Sequence, residues 1–216
     1  MAPVPIRCGV SPTERPSAVS APTQPVRGAV ERAYDLVRLV AESGPGFATF
    51  RAASAADVPE PARGLLDHAS HMTVAMERFH GAPLGLRVVA RAHDPGSPGG
   101  GPPAYAREIL LLSPRGDVVQ YGIVRIDLSR VDARTAESIR AARIPLGRVL
   151  IDAGLLREVH DVALLEVRPG PRLAALFGRF PDPAAAPAPT WGRVAQISLG
   201  GHPAVELLEI VVPPPP

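Results

Sequence analysis

Two charges set inside apolar strands are the residues of this chain best placed to do chemistry. Arg107 stands in YAREILLL just ahead of Ile109, Leu110, Leu111 and Leu112, and Glu209 lies between Leu208 and Ile210 in PAVELLEIVV. A charge in a buried strand is costly unless it is paired or meets a ligand. An arginine offers a planar fork that grips a carboxylate at two points and stays charged when buried. A glutamate accepts a hydrogen bond from a hydroxyl. Strand alternation points such charges equally well to solvent, and Glu108 and Glu206 are expected on that outer face. His68 and His71, three apart, can bring two imidazoles to one metal ion, but no HExxH motif or cysteine supplies a third ligand, so they read as surface histidines of a helix. No GxSxG elbow, phosphate-cradling GxxxxGK[ST], dinucleotide fingerprint or EF-hand pattern occurs.

The elements that must position these groups follow from periodicity. Ala29 to Ser43 places Val30, Tyr34, Val37 and Ala41 near one helical face, and Ala62 to His80 spaces Leu65, Leu66, Ala69, Met72, Met76 and Phe79 mostly by three and four, with a break near Met72. Leu84 to Ala92 reads as a strand, and YAREILLL and DVVQYGIVRID are strands joined by SPRG, a turn of hairpin length. Asp132 to Ile144 reads as a helix, PLGRVLIDAG as its short continuation or a loop, and Arg157 to Val167 as a strand. WGRVAQISL and PAVELLEIVV form a last hairpin around Gly200 to His202. Hairpins with helices grouped around them predict an α+β fold, a single antiparallel sheet with helices packed around it.

Composition bounds the remaining classes. Of 216 residues 27 are Pro and 20 Gly, yet 46% are hydrophobic and 20% charged, which excludes a uniformly disordered chain. Prolines cluster in residues 1–26, 95–103 and 181–189 and at 213–216. These stretches set the expected organisation: a disordered Pro-rich tail over 1–26, one domain over 27–212 and a Pro tail at 213–216, with Gly96 to Pro103 a flexible loop. All 23 basic residues are Arg, balanced by 21 acidic ones, and only 4% of residues are aromatic, so neither a basic stripe nor a stacking platform for nucleic acid is visible. The single cysteine, Cys8, excludes an internal disulfide. No apolar run suits a secretory leader or a membrane span, so a cytoplasmic protein with no membrane or nucleic-acid partner is expected.

The blocks SHMTVAMERFHG, YAREILLL, YG, IPLGRVL and WGRVAQISLGGHPAVELLEIVVP, in this order over roughly Leu65 to Pro213, resemble the chorismate pyruvate-lyases. The resemblance implies a cofactor-free lyase that converts chorismate to 4-hydroxybenzoate and pyruvate for a quinone, glycolipid or secondary-metabolite pathway. It implies that Arg107 binds the ring carboxylate, assisted by backbone groups at Met72 and Leu146, and that Glu209 faces the 4-hydroxyl, with Glu206 a weaker candidate for that role. It gives Thr73, Gly122, Pro145 and Gly147 shape-setting places in the substrate site. Catalysis is thus expected of Arg107 and Glu209, and substrate binding of these two with Met72, Thr73, Gly122 and Leu146.

The chain departs from the pattern at one place. Some relatives carry Arg directly after the Gly of the second hairpin strand, where this chain has Ile123, with Arg125 two residues on and Arg193 as a further substitute. The enolpyruvyl carboxylate is the charge this departure concerns. Two other readings stand beside the lyase: a lyase giving a different hydroxybenzoate, and a non-catalytic, effector-sensing module that binds an aromatic acid. The implied fold also serves as the effector domain of some bacterial regulators, but residues 1–26 are too short and Pro-rich for a helix-turn-helix.

Overall fold

A computed structural model describes residues 28–94, 104–178 and 188–212. The expected tails at 1–26 and 213–216 and the whole of the expected Gly-rich loop, Gly96 to Pro103, lie outside these residues. The elements run α1 (Ala29–Arg38), β1 (Ala48–Ala53), α2 (Ala62–Leu66), α3 (Met72–His80), β2 (Gly85–Asp94), β3 (Ala104–Leu112), β4 (Val118–Ile126), α4 (Ala133–Ala141), α5 (Leu146–Asp152), β5 (Arg157–Pro169), α6 (Pro171–Leu176), β6 (Thr190–Leu199) and β7 (His202–Val211). All seven strands form one antiparallel sheet in the order β1-β5-β6-β7-β4-β3-β2, as the hairpin pattern predicts. No described helix is long and apolar enough to cross a membrane.

Both hairpins close on residues suited to left-handed backbone. Gly116 has φ 89° in the β3–β4 turn, where the Ser113 amide donates to the Asp117 carbonyl at 2.8 Å. Gly200 and Gly201 have φ 56° and 80° between β6 and β7, the pair of positive values that a two-residue hairpin turn requires. α4 starts where Asp132 accepts from the Thr135 amide at 2.9 Å, a side-chain cap on an otherwise unbonded N–H.

The two faces of the sheet are unlike. One carries a continuous core, in which Ala33, Leu36 and Val37 of α1 and Leu173 of α6 pack on Leu110, Tyr121, Ile123, Leu165, Val194 and Leu208. The other carries two separate cores. α4 and α5 bring Ile139, Leu146 and Leu150 onto Val124, Ala195, Ile197 and Leu207, while α2 and α3 bring Leu66, Met72 and Met76 onto Leu111, Leu164 and Val211. Between them the sheet presents Arg107, Gly122, Arg193 and Glu209 in place of apolar side chains. A sheet face that apolar burial alone would fill is interrupted where the chemistry was expected.

Several expectations change. The break expected near Met72 is a segment, residues 67–71, that separates two helices, whereas Phe79, expected on the apolar face, is 53% exposed because α3 buries Met72, Thr73 and Met76 instead. PLGRVLIDAG forms its own helix, α5, and β1 and α6 are additional elements. Glu108 is fully buried rather than facing solvent. α1 and α6 cover its face, and there Arg172 donates to both Glu108 oxygens at 2.6 and 2.7 Å while Tyr121 donates its hydroxyl at 2.8 Å. Burial first, and then the Glu108 charge, raise the Tyr121 hydroxyl well above its ordinary value.

Candidate functional site

Strand register assembles the site. Ile109 faces Gly122 across β3 and β4, Gly122 faces Glu209 across β4 and β7, and Glu209 faces Arg193 across β7 and β6. Arg107 pairs with Val124, one step along the same face. These residues line a cavity of about 50 Å³ with Met72 and Thr73 at the start of α3 and Pro145, Leu146 and Gly147 at the start of α5. All six residues expected in the site, Arg107, Glu209, Met72, Thr73, Gly122 and Leu146, thus line one cavity, although they come from five elements. Gly147 and Gly122 explain how the walls close. A Cβ on Gly147 would stand 3.4 Å from both His71 Cβ and Thr73 Oγ1, so a small residue lets α5 lie against α3; a Cβ on Gly122 would crowd Ile109 at 3.3 Å on the floor.

Arg107 is fully buried and has no carboxylate partner among the described residues. Its Nη1 donates to the Ile139 carbonyl at 3.1 Å, a group in the last turn of α4 that has no intrahelical partner. Its Nε and Nη2 are buried and unpaired. Burial lowers the Arg107 guanidinium below its ordinary value, with Tyr105 acting in the opposite direction. An arginine guanidinium keeps its charge inside a protein. A buried cation with two idle donors is costly to hold, and an anion in the cavity removes that cost.

Glu209 is held by Arg193, whose Nε donates to Oε2 at 2.7 Å. The same guanidinium donates to the carbonyls of Leu66 at 3.2 Å, His68 at 2.7 Å and Ser70 at 3.2 Å. Arg193 is therefore the strut that fixes the carboxylate and pins the 67–71 segment over the sheet, and it is not the idle cation that the sequence departure called for. Arg125 does not fill that place either. Alternation sets Tyr121, Ile123 and Arg125 on the α1 face and Gln120, Gly122 and Val124 on the cavity face, so Arg125 lies on the far side of the sheet, paired with Glu206. Glu206 is on that far side too, which leaves Glu209 as the carboxylate of the cavity.

The histidines are not on a helix surface. His68 sits in the α2–α3 connection and His71 immediately precedes α3, half-buried, with Nε2 accepting from Arg157 Nε at 2.7 Å. His71 also lines an outer groove of about 700 Å³ that shares Ser70, His71 and Val159 with the cavity. Burial first, then Arg157, lower its imidazole below the ordinary 6.5, with Glu209 opposing. Burial and Arg193 lower His68 likewise. A histidine held neutral in the fold contributes stability that is complete above its unfolded value of about 6.5 and is lost as pH falls through the depressed folded value. The thermal midpoint should therefore drop on acidification below about pH 6.5, and His71→Gln, which still accepts from Arg157 without titrating, should flatten part of that slope; equal slopes in calorimetry at stepped pH would contradict this.

No family model matches the sequence, and no curated protein matches it. Among solved structures, the effector domain of PhnF from Mycobacterium smegmatis is similar at 17% identity and a TM-score of 0.47, covering 66% of this chain and 88% of that one. A ligand-binding domain described as that of a GntR-family transcriptional regulator from Bordetella bronchiseptica is similar at 15% identity and a TM-score of 0.47, covering 60% and 85%.

Proposed function

We propose that the cavity binds a ring carboxylic acid through Arg107 and that the protein is a lyase acting on chorismate, releasing pyruvate and 4-hydroxybenzoate. The observation that carries the reading is Arg107, a fully buried cation with two unpaired nitrogens on the floor of the cavity. The first N–H groups of α3 and α5, at Met72 and Leu146, have no intrahelical partner and start at the same cavity, where they add donors for the carboxylate. Chorismate suits these groups. Its carbon 3 ether bond breaks, the hydrogen of carbon 4 ends on the enolpyruvyl methylene to make the pyruvate methyl, and the ring becomes aromatic. Aromatisation drives the reaction, so the residues have to hold the carboxylate, fix the ring and stabilise charge on the departing ether oxygen. Glu209, held by Arg193, accepts the hydrogen bond of the carbon 4 hydroxyl and orients that carbon.

A second reading, an aromatic-acid-sensing module, is favoured by one specific observation. Arg193 is committed to Glu209 and three carbonyls and Arg125 lies across the sheet, so Arg107 is the cavity-lining arginine left with idle donors among the described residues. One such cation in a tight cavity suits a monocarboxylate of the size of 4-hydroxybenzoate.

Incubation of the purified protein with chorismate, following pyruvate and the aromatic acid by chromatography, separates the two. Equal amounts of both products support the lyase. Tight binding of 4-hydroxybenzoate without turnover supports the module. In the lyase, Glu209→Gln should lower kcat at least tenfold, whereas Glu206→Gln, which alters a half-exposed pair on the far face, should change it less than twofold. Equal losses in both would contradict the placement of Glu209.

A further inference from the structure

Gln120 is a polar side chain of the cavity wall that the lyase chemistry leaves without a role. It lies on β4 two residues before Gly122, hence on the same face, and is 2% exposed. Its Oε1 is buried without a partner, and no hydrogen bond reaches its Nε2 among the described residues. Buried carboxamides are nearly always bonded, because leaving either end unpaired forfeits its hydration. Its directly opposite neighbours on the face, Leu111 of β3 and Val211 of β7, are both apolar and offer no partner.

Register gives Gln120 a position relative to Arg107. Along β4 the cavity floor runs Val124, Gly122, Gln120, with Arg107 across from Val124 at one end and Gln120 at the other. The two ends are four residues apart, about 13 Å between backbone positions. Gly122 leaves the middle of that floor without a side chain, and Glu209 flanks it. A ring laid on Gly122 with its carboxylate at Arg107 turns its opposite edge toward Gln120.

We propose that Gln120 determines specificity by hydrogen-bonding a polar substituent, a hydroxyl or an amino group, on the ring edge remote from the carboxylate. The ligand class is then the hydroxylated or aminated ring carboxylic acids, and bare ring acids are selected against. The inference rests on the reading of the cavity as a ring-carboxylate site. A site built to hydrogen-bond a substituent discriminates strongly against the analogue that lacks it, since the protein group is then left buried and unpaired.

The test is a calorimetric titration of the full chain and of Gln120→Met, similar in length and apolar, with benzoate, 3-hydroxybenzoate, 4-hydroxybenzoate and 4-aminobenzoate. The wild type should bind at least one substituted acid tenfold or more tighter than benzoate. Gln120→Met should shrink that preference at least fivefold and leave benzoate affinity unchanged or improved. If each acid binds the variant as it binds the wild type, the role of Gln120 is overturned while the carboxylate site stands. If the wild type binds none of the four, the carboxylate site fails and the inference with it. A measurement without any variant covers the case in which Gln120→Met does not fold: the Gln120 side-chain amide resonance should shift when 4-hydroxybenzoate is added and stay in place with benzoate. Equal shifts with both acids would overturn the proposal.

Discussion

Arg107→Met is expected to make the ligand-free protein more stable and to remove its affinity for ring carboxylates at the same time. The side chain is fully buried, and of its three nitrogens only Nη1 has a partner, the Ile139 carbonyl. Exchange of a buried, incompletely satisfied charge for an apolar side chain of similar length commonly stabilises, by about 1 to 3 kcal/mol. For a domain of this size each kcal/mol is worth about 2 to 4 °C in the thermal midpoint. One charge-assisted contact to a carboxylate contributes about 1.5 to 3 kcal/mol, so affinity should fall by roughly 10- to 150-fold. The two effects together identify a group kept for a ligand at the expense of the empty fold. A variant that melts lower and binds 4-hydroxybenzoate as well as the wild type would assign Arg107 to structure.

Arg193→Met is expected to do the reverse, although the chemical change is the same. Arg193 is 1% exposed, and its guanidinium satisfies Glu209 and the carbonyls of Leu66, His68 and Ser70. Its removal leaves a mostly buried carboxylate without a counter-ion and three carbonyls short of a donor, a loss of about 3 to 5 kcal/mol. The 67–71 segment loses its attachment to the sheet. Chemical denaturation should show that loss as a lower midpoint with an unchanged slope, and Glu209→Gln added to Arg193→Met should restore part of it, because the uncompensated charge is then gone. A near-neutral Arg193→Met would mean that water replaces the strut.

These opposite expectations show what the sequence carries and what it omits. Both arginines are visible as charges in apolar strands, but the three carbonyls that Arg193 holds lie more than 120 residues away and leave no local signature. The hairpins β3–β4 and β6–β7 were legible because alternation and turn chemistry agree within about ten residues on either side. The break expected near Met72 within Ala62–His80 falls at residues 67–71, where Arg193 takes the carbonyls of His68 and Ser70, long-range bonds that periodicity does not show. β1 and α6, six residues each, are too short for periodicity to register.

Alternation also divides a strand into two faces without saying which face is covered. Glu108 was placed in solvent because Arg107 was placed inside; both are buried, one under α1 and α6 and the other under the helices of the opposite layer. The resemblance to the chorismate pyruvate-lyases marks six residues that line one cavity. Gln120 is not among them, yet a polar side chain two residues before Gly122, in a strand otherwise apolar on that face, was its signal.

The most direct test of the carboxylate site is a titration of the wild-type protein with 4-hydroxybenzoate and with its methyl ester. The two ligands share the ring and the hydroxyl and differ in the charge that Arg107 is placed to receive. The site described predicts that the acid binds at least tenfold tighter than the ester and that Arg107→Met abolishes the difference. Equal affinities of the wild type for the two ligands would contradict it.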